Sequence, residues 1–425
     1  MKKTNIVITS VILFTSVFVH GQVYTLDQCI ELALRNKETV KNAALDVKSA
    51  KLGKRGSLQG ILPSVSAGGS WSETNFKVAG IPSTSSQGAS ISINQTIFDG
   101  GVMWNSIFRA NNGYVYNQQL EHQIKSRAIY DVIQAYYTIL KSQQLLDVAR
   151  MNLMLANQQV ELVTNQFEIG AVAKTDLLKV NVLRGQAQIQ VIQRDTELQQ
   201  AYRNIRNTMG LIDSNELIML DDTINEDITI PNPSEVYNLM DENNPALLVK
   251  RAQIKDAELS YKLTRSAHLP SIGLNWSYNT QPVGFGGQST AFDEYQRISV
   301  GVSIPLFTGF NLSTRTQQAR INMSKQEYDY VTLMKDIKVQ LENLLEILHN
   351  YADIIPINEE VLASAEEDLK LVQVQYALGS VTILEVLDAQ LSVTQARSSL
   401  VSTKYDAQIQ AAALKALMGT LDRNL

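Results

Sequence analysis

The sequence predicts an α+β membrane protein that is internally duplicated, with long α-helical coiled-coil hairpins and two β-hairpins in each chain. Three observations lead to this fold class. The same landmarks occur twice, about two hundred residues apart. Long stretches contain no proline and almost no glycine, which is typical of long helices. Between them, apolar and polar residues alternate over about ten positions, the length at which a tilted strand crosses a bilayer.

Two motifs mark the repeat. The motif at 62–65 (Leu-Pro-Ser-Val) returns at 269–272 (Leu-Pro-Ser-Ile), 207 residues later. The motif at 97–100 (Ile-Phe-Asp-Gly) returns at 306–309 (Leu-Phe-Thr-Gly), 209 residues later, and this second offset holds to the end of the chain. The two-residue difference lies between the motifs, where we predict a hairpin that absorbs it. One unit repeated twice replaces the two or three domains that the length suggests.

Each half is predicted to run helix, strand, loop, strand and then two long helices. The first helix covers about 26–60, and Thr25 is a natural N-cap because its hydroxyl accepts hydrogen bonds from free backbone amides. The strand at 89–98 alternates cleanly, and its odd-numbered residues up to Ile97 share one face. The other strands are predicted at 62–78, 271–280 and 298–307, with loops at 80–88 and around 284–287.

The long helices set the scale of the molecule. Residues 102–167 contain no proline, and a helix of that length spans on the order of 100 Å. A helix of this length cannot fold into a compact core, so we expect it to form a coiled-coil rod or the wall of an elongated structure. Gly170 interrupts the first long helical region and Gly379 the second. Pro356, inside the second long helix, predicts a kink or a break there.

These patterns divide the chain into four parts. The linker is marked by an acidic and proline-containing stretch. The predicted boundaries are a signal peptide at 1–21, a first repeat at 22–210 (β-hairpin about 62–98, long helices 102–168 and 175–210), a linker at 211–234 and a second repeat at 235–425 (β-hairpin about 270–307, long helices 311–378 and 382–418).

The first residues predict export. Lys2 and Lys3 precede an apolar run at 6–19, and Gly21 is small enough for a cleavage site. The run is too short for a spanning helix. Cys29, the only cysteine, does not follow a lipoprotein cleavage box, so we expect no lipidation and interpret it as a buried structural thiol.

Composition argues against several functions. A net charge of −5 without a basic stripe disfavours nucleic acid as a partner. Beyond the signal, His122, His268 and His349 are far apart, so no metal site is expected. Motifs for nucleophilic catalysis or phosphate binding are absent from the sequence. We therefore expect neither an enzyme nor a cofactor.

Four membrane-length strands cannot close a barrel, because known barrels begin at about eight strands and lipid does not tolerate an open edge. Two copies of the chain would supply about eight strands and three copies about twelve. The alternative is a non-channel coiled-coil structural protein of the cell envelope. It accounts for the helices equally well but not for strands of this length with an aliphatic face.

The whole exported chain resembles the TolC-like outer-membrane efflux family, the outer-membrane factor of tripartite efflux pumps and type I secretion systems. The resemblance lies in the opening segment 24–34, the Leu-Pro-Ser strand entries, the segment 376–390 and the duplication itself. It implies a homotrimer in which a twelve-stranded outer-membrane β-barrel stands on a periplasmic α-helical barrel. The implied function is a passive exit duct for small molecules or polypeptides. The implied partners are a periplasmic adaptor (membrane-fusion) protein, a proton-driven or ATP-driven inner-membrane transporter and outer-membrane lipid.

The two glycine interruptions are candidate functional sites. Glycine permits the positive φ that a tight helix reversal needs, so both are expected as C-caps. The resemblance further implies that these reversals form the tips that contact the adaptor. The implied contact residues are Ile169, Gly170, Ala171, Val172, Leu378, Gly379, Ser380 and Val381.

Carboxylates near the second reversal are candidates for a pore gate. Glu385 and Asp388 are three residues apart and share a helix face. In a trimer they would form stacked acidic rings, which attract cations. Glu385 also fits a capping box with Thr382 as N-cap. A solvated surface charge is the alternative for Asp388.

The resemblance also implies a latch that closes the pore. Asp176 and Tyr376 match latch positions, and a hydrogen bond between them is expected. The latch arginine of the family is replaced by Val381, which leaves the salt-bridge part of the latch in question. Lys179 is a candidate to replace it.

Overall fold

The fold is described from a computed structural model that covers residues 23–75, 84–211, 219–221, 230–282 and 292–421. The predicted signal peptide and most of the predicted linker lie outside these residues. So do residues 76–83 of the first β-hairpin and residues 283–291 of the second, which include the loop predicted around 284–287. The described chain is mostly helical with a few strands. No helix within it combines the length and apolarity needed to cross a bilayer.

Both halves follow the same order of elements. The first comprises β1 (Val23–Tyr24), α1 (Leu26–Asn36), α2 (Glu38–Gly56), a 3₁₀ turn (Ser57–Gly60), β2 (Ser64–Thr74), β3 (Thr84–Asp99), α3 (Val102–Glu168) and α4 (Lys174–Thr208). The second comprises β4 (Met219–Leu220), α5 (Pro233–Asn243), α6 (Pro245–Ser266), β5 (Ser271–Pro282), β6 (Phe292–Ser303), α7 (Asn311–Ala377) and α8 (Ile383–Met418). At 67 residues each, α3 and α7 span roughly 100 Å.

The prediction of one helix over 26–60 is wrong, because the chain breaks at Lys37, whose backbone is extended. Tertiary packing explains the break. The end of α4 lies against it so closely that a Cβ on Gly210 would be 3.0 Å from the carbonyl carbon of Asn36. The second half repeats this arrangement at Asn244, between α5 and α6, where the end of α8 packs.

The predicted break at Pro356 does not occur, since α7 is continuous through it. A proline removes only one backbone donor, and the turns on either side keep their own hydrogen bonds. Contacts beyond the proline also hold the helix against α8. Asn358 Nδ2 donates to Thr403 Oγ1 at 3.1 Å, and Lys404 Nζ lies 2.8 Å from Glu359 Oε1.

The two β-hairpins form one four-stranded antiparallel sheet in the order β2-β3-β5-β6. Ser64 pairs with Asn94 in the first hairpin, and Ser271 pairs with Ser303 in the second. The second register follows from the first by the two repeat offsets, which places the two-residue difference between the strands of the hairpin. The helices follow the same lateral order as the strands, because α3 packs against α2 and α6, and α6 packs against α7.

The sheet has one apolar and one polar face. Val65, Ile93, Trp276 and Ile298 are directly opposite one another and form an apolar row across all four strands. The adjacent row on the other face is polar, and it comprises Ser66, Ser92, Ser277 and Arg297. Such alternation is typical of a sheet with lipid on one side and water on the other.

Three strand predictions need correction. A β-bulge between Thr96 and Phe98 makes Ile97 the inserted residue, so Phe98 takes the next pairing position. The strand predicted at 298–307 is β6, which already starts at Phe292. It ends at Ser303, before Pro305, because a proline cannot donate a hydrogen bond to the neighbouring strand. The loop predicted at 80–88 is strand from Thr84 onward.

The helical part of the chain has two main apolar cores, and matching residues of α3 and α7 contribute to them. The first core also includes Tyr405, Ala412 and Leu421 from the end of the second half. Val132 and Ile139 of α3 are fully buried in the first core. Their counterparts 209 residues later, Leu341 and Leu348 of α7, are buried in the second. Cys29 lies in the first core, as predicted, and burial raises the pKa of its thiol to about 12.

Candidate functional site

The first helical hairpin, α3 and α4, reverses at Gly170. Its φ is +77°, the left-handed conformation predicted from the glycine. Gly170 N donates to Phe167 O at 2.9 Å, and Ala171 N donates to Gln166 O at 2.8 Å. This pair of bonds is the Schellman motif, which satisfies carbonyls at the end of a helix.

The second hairpin, α7 and α8, reverses in the same way at Gly379, whose φ is +73°. Gly379 N donates to Tyr376 O at 3.0 Å, and Ser380 N donates to Gln375 O at 2.9 Å. Both reversals are therefore equivalent in backbone geometry, and any difference in function must come from side chains.

Most residues of the predicted contact set are exposed at these tips. Ile169 and Leu378 are 80% and 79% exposed, which is unusual for side chains of this size. Val172 and Val381 are half-buried, and Val172 packs against a small apolar cluster behind the tips. The remaining members of the set are exposed, and they are Gly170, Ala171, Gly379 and Ser380.

A small apolar cluster joins the two hairpins just behind the tips. Val163 and Val180 of the first hairpin are buried against Ile383 and Val386 of the second. The sequence pattern did not reveal this cluster. Its only signal was that aliphatic residues lie at helical spacing on both sides of each glycine, a pattern that does not say which helices meet.

Tyr376 also joins the hairpins, because its hydroxyl donates to Gln166 Oε1 at 2.7 Å. A phenol has one proton to donate, and in this structure Gln166 accepts it in place of Asp176. Burial, and then the nearby negative charge of Asp176, raise the pKa of Tyr376 above its ordinary value of 10.0. The hydroxyl therefore remains a donor at neutral pH.

Asp176 has a partner on its own helix. Lys179 Nζ lies 3.6 Å from Asp176 Oδ1. The lysine thus pairs with the aspartate, but within α4, and it does not link the two hairpins as the arginine of a latch would. Val381, at the expected arginine position, supplies no charge.

Glu385 and Asp388 are both exposed, but they are held differently. Glu385 Oε1 accepts from Thr382 N and from Thr382 Oγ1, each at 3.3 Å, in the predicted capping box. Among the described residues, Asp388 makes no ion pair. The second tip therefore carries a negative charge that no described cation pairs with, whereas at the first tip Lys179 pairs with Asp176.

A groove of about 590 Å³ runs between α4 and α8 next to these residues. Its walls are aliphatic and more than half exposed, and they include Leu178, Val182, Leu384 and Leu391. Lys179 lies on one wall and Asp388 on the other. The groove has no signal in the sequence pattern, because it forms between helices that are about two hundred residues apart.

The described residues contain no group of three or more His, Cys, Asp or Glu that could hold a metal ion. Two of the histidines are engaged in local contacts. His268 Nε2 lies 3.2 Å from Thr316 Oγ1, and His349 Nδ1 lies 2.7 Å from Leu345 O.

The chain is similar to known outer-membrane proteins over most of its length. It is 24% identical over 300 residues to "Outer membrane protein TolC" of Vibrio cholerae, covering 68% of this chain and 67% of that protein. It is 24% identical over 414 residues to "Alkaline protease secretion protein AprF" of Pseudomonas aeruginosa, covering 92% and 83%. The crystal structure of CusC superposes with a TM-score of 0.85 at 20% identity, covering 93% of this chain and 92% of that one, which shows a common fold.

A profile of one family matches both halves of the chain. It covers residues 29–211 and residues 236–420, which together are most of the sequence, and its two segments correspond to the two repeats. The chain belongs to the outer membrane efflux protein family.

Proposed function

We propose that this chain is one subunit of a passive exit duct in the outer membrane, serving a tripartite efflux pump or a type I secretion system. Three copies combine their strands into a twelve-stranded β-barrel, and their long helices continue it as an α-helical barrel across the periplasm. The observation that carries the proposal is the apolar row from Val65 to Ile298, which crosses a sheet with a polar second face and two open edges. Lipid does not tolerate open edges, so such a sheet needs copies of itself.

The second tip is the proposed gate. In a trimer, Glu385 and Asp388 form acidic rings that narrow the pore and favour cations. Asp176 and Tyr376 are proposed to belong to the latch that holds this pore closed. The bond from Tyr376 to Gln166 and the apolar cluster behind the tips support this role, because they tie the second hairpin to the first.

The tips are the proposed contact with a periplasmic adaptor protein. Their exposed aliphatic side chains, led by Ile169 and Leu378, suit close packing against a partner helix. The groove between α4 and α8 extends this surface with more exposed leucine and valine. An inner-membrane transporter, proton-driven or ATP-driven, supplies the energy, and the duct itself performs no chemistry and needs no cofactor.

The chain is proposed to reach the outer membrane by its signal peptide, without lipidation, and to extend far into the periplasm. Its proposed cargo is small molecules or polypeptides. AprF is named for secretion of a protease, so the cargo of one relative is a polypeptide.

A pair of lysine substitutions tests the duct. Ile93 and Ser92 are neighbours in β3 on opposite faces of the sheet. Ile93→Lys places a charge on the proposed lipid face, at a cost of about 2–4 kcal/mol near the bilayer centre, whereas Ser92→Lys places it in water. We expect Ser92→Lys to form a heat-modifiable, detergent-requiring trimer that conducts ions in planar bilayers, and Ile93→Lys to lose assembly.

Two results would overturn the proposal. One is extraction of the unaltered protein as a soluble monomer without detergent, which is the behaviour of a non-channel coiled-coil protein. The other is equal assembly of Ile93→Lys and Ser92→Lys, which would mean that the apolar row does not face lipid.

A further inference from the structure

The segments next to the sheet carry a strong positive charge, although the whole chain is acidic. Residues 48–63, 99–109, 254–270 and 304–320 adjoin the four strands, and together they contain ten Lys and Arg but only three Asp and Glu. The chain as a whole has a net charge of −5. Positive charge is thus concentrated where the helices meet the strands.

The three carboxylates in these segments are already engaged. Asp99 caps α3 by accepting from Gly101 N and Met103 N, at 3.1 and 2.7 Å. Asp256 binds Arg109 at 2.8 Å. Glu258 binds Lys255 and Lys262, at 2.7 and 2.6 Å, and these two lysines lower its pKa.

Seven exposed cations in these segments have no ion pair to any described carboxylate, and five of the seven lie within about two turns of a helix end that adjoins the sheet. These five lie in the last turns of α2 and α6 and the first turns of α7, which are the helix ends nearest the sheet. We call them the cation band: Lys51, Lys54, Arg55, Arg265 and Arg315.

An exposed apolar belt separates the cation band from the strands. Leu62 and Leu269, which are repeat counterparts, are 59% and 50% exposed. The belt also contains large side chains that adjoin β3 and β6, and these are Trp104, Leu306, Phe307 and Phe310. Moving away from the sheet, the order is apolar strand face, exposed Leu, Trp and Phe, then Lys and Arg. Lipid bilayers have the same order of hydrocarbon, interface and phosphate.

We propose that the cation band binds the phosphate groups of anionic phospholipids in the membrane leaflet nearest the helices. The inference rests on the proposed function, since the sheet must lie in the membrane for the band to reach this leaflet. Charge complementarity and the adjoining apolar belt favour a lipid over a free anion, because only a lipid also covers the exposed leucines and aromatic side chains.

The test compares two variants of equal charge change in the full-length protein. The band variant is Lys54→Gln, Arg55→Gln and Arg265→Gln. The control is Lys41→Gln, Lys335→Gln and Lys338→Gln, which are also exposed but lie well away from the strands. Binding of fluorescent phosphatidylglycerol and phosphatidylcholine is measured on the detergent-solubilised protein at fixed ionic strength, with inorganic phosphate as a competitor.

Unaltered protein and control should prefer phosphatidylglycerol. The band variant should lose this preference by about fivefold per cation, and by on the order of a hundredfold for three. Equal preference in band variant and control would overturn the inference, and so would displacement of the lipid by inorganic phosphate. A band variant with altered anion conductance and unaltered lipid preference would place these cations in the pore and also refute it. Failure of the duct itself would appear separately, as absent conductance in the unaltered protein.

Discussion

At the scale of residues, the two tips have the same backbone geometry but differ in charge. Lys179 neutralises Asp176 at the first tip, whereas Asp388 at the second has no ion pair among the described residues. Glu385 has a structural role as well, because it accepts two hydrogen bonds from Thr382. A test of the gate must therefore separate the charge of Glu385 from its capping function.

Replacing both carboxylates by amides makes this separation. In Glu385→Gln with Asp388→Asn, the glutamine retains an oxygen that can accept the cap bonds, while both charges are lost. We expect higher permeation of anions relative to cations in planar bilayers, because the negative potential at the pore entrance is removed. Asp176→Asn is the matched control and should alter selectivity less. Unchanged selectivity in the double variant would reject the gate assignment.

Glycine positions at the two ends of the second hairpin allow a second residue-scale prediction. Gly379 and Gly419 have φ of +73° and +68°, but Gly379 has open space around it, whereas a Cβ on Gly419 would lie 2.1 Å from Asn243 O. Gly379→Ala should cost about 1–2 kcal/mol through backbone strain alone. Gly419→Ala should cost clearly more. Denaturation midpoints of the two variants provide the measurement, and equal losses would mean that the contact at Gly419 relaxes.

At the scale of elements, α7 is the helix whose behaviour most needs testing. Beyond Pro356 it is tied to α8 by Asn358, Glu359 and Glu366. The missing amide of the proline still leaves one carbonyl without its helical partner. The segment around Pro356 is therefore the weakest part of a helix that is otherwise continuous.

Pro356→Ala should strengthen this segment. Proline in a helix interior is roughly 3 kcal/mol less favourable than alanine, and glycine roughly 1. We expect hydrogen exchange of the neighbouring amides to slow in Pro356→Ala and to slow less in Pro356→Gly. Exchange that is unchanged in both variants would show that α8 already compensates for the proline.

Local chemistry made some elements predictable from the sequence, and tertiary contact hid the others. Thr25 caps α1, and Gly170 and Gly379 end their helices, because each of these roles is fixed by one side chain and its neighbours. The break at Lys37 depends on the end of α4, which lies far along the chain. The acceptor of Tyr376 was likewise hidden, since Gln166 is 210 residues away.

At the scale of the whole molecule, the chain has two main apolar cores, and one of them contains a thiol. Cys29 lies at 0% exposure in the first core, and it is the only cysteine. Burial raises the pKa of its thiol from 9.0 to about 12, so the reactive thiolate is suppressed in the folded protein. The stability linked to this shift is fully present below pH 9.0 and is lost as the pH rises through about 12.

Cys29 should therefore report opening of the first core. We expect negligible maleimide labelling at neutral pH until denaturant opens the first core, and then complete labelling. Ala171→Cys in the same chain adds an exposed thiol at the tip, which should react at once. Rapid labelling of Cys29 under native conditions would contradict its burial.

The inequality of the two tips has a consequence for symmetry. A ring of three such chains would look sixfold in its backbone, since every reversal has the same Schellman geometry. Electrostatically it would be only threefold, because neutral and acidic tips would alternate around the rim. A partner that recognises shape alone would find six equivalent binding positions. A partner that recognises charge would find three neutral positions and three acidic positions. Salt, which screens exposed charge, should therefore shift the protein from the second pattern of binding toward the first.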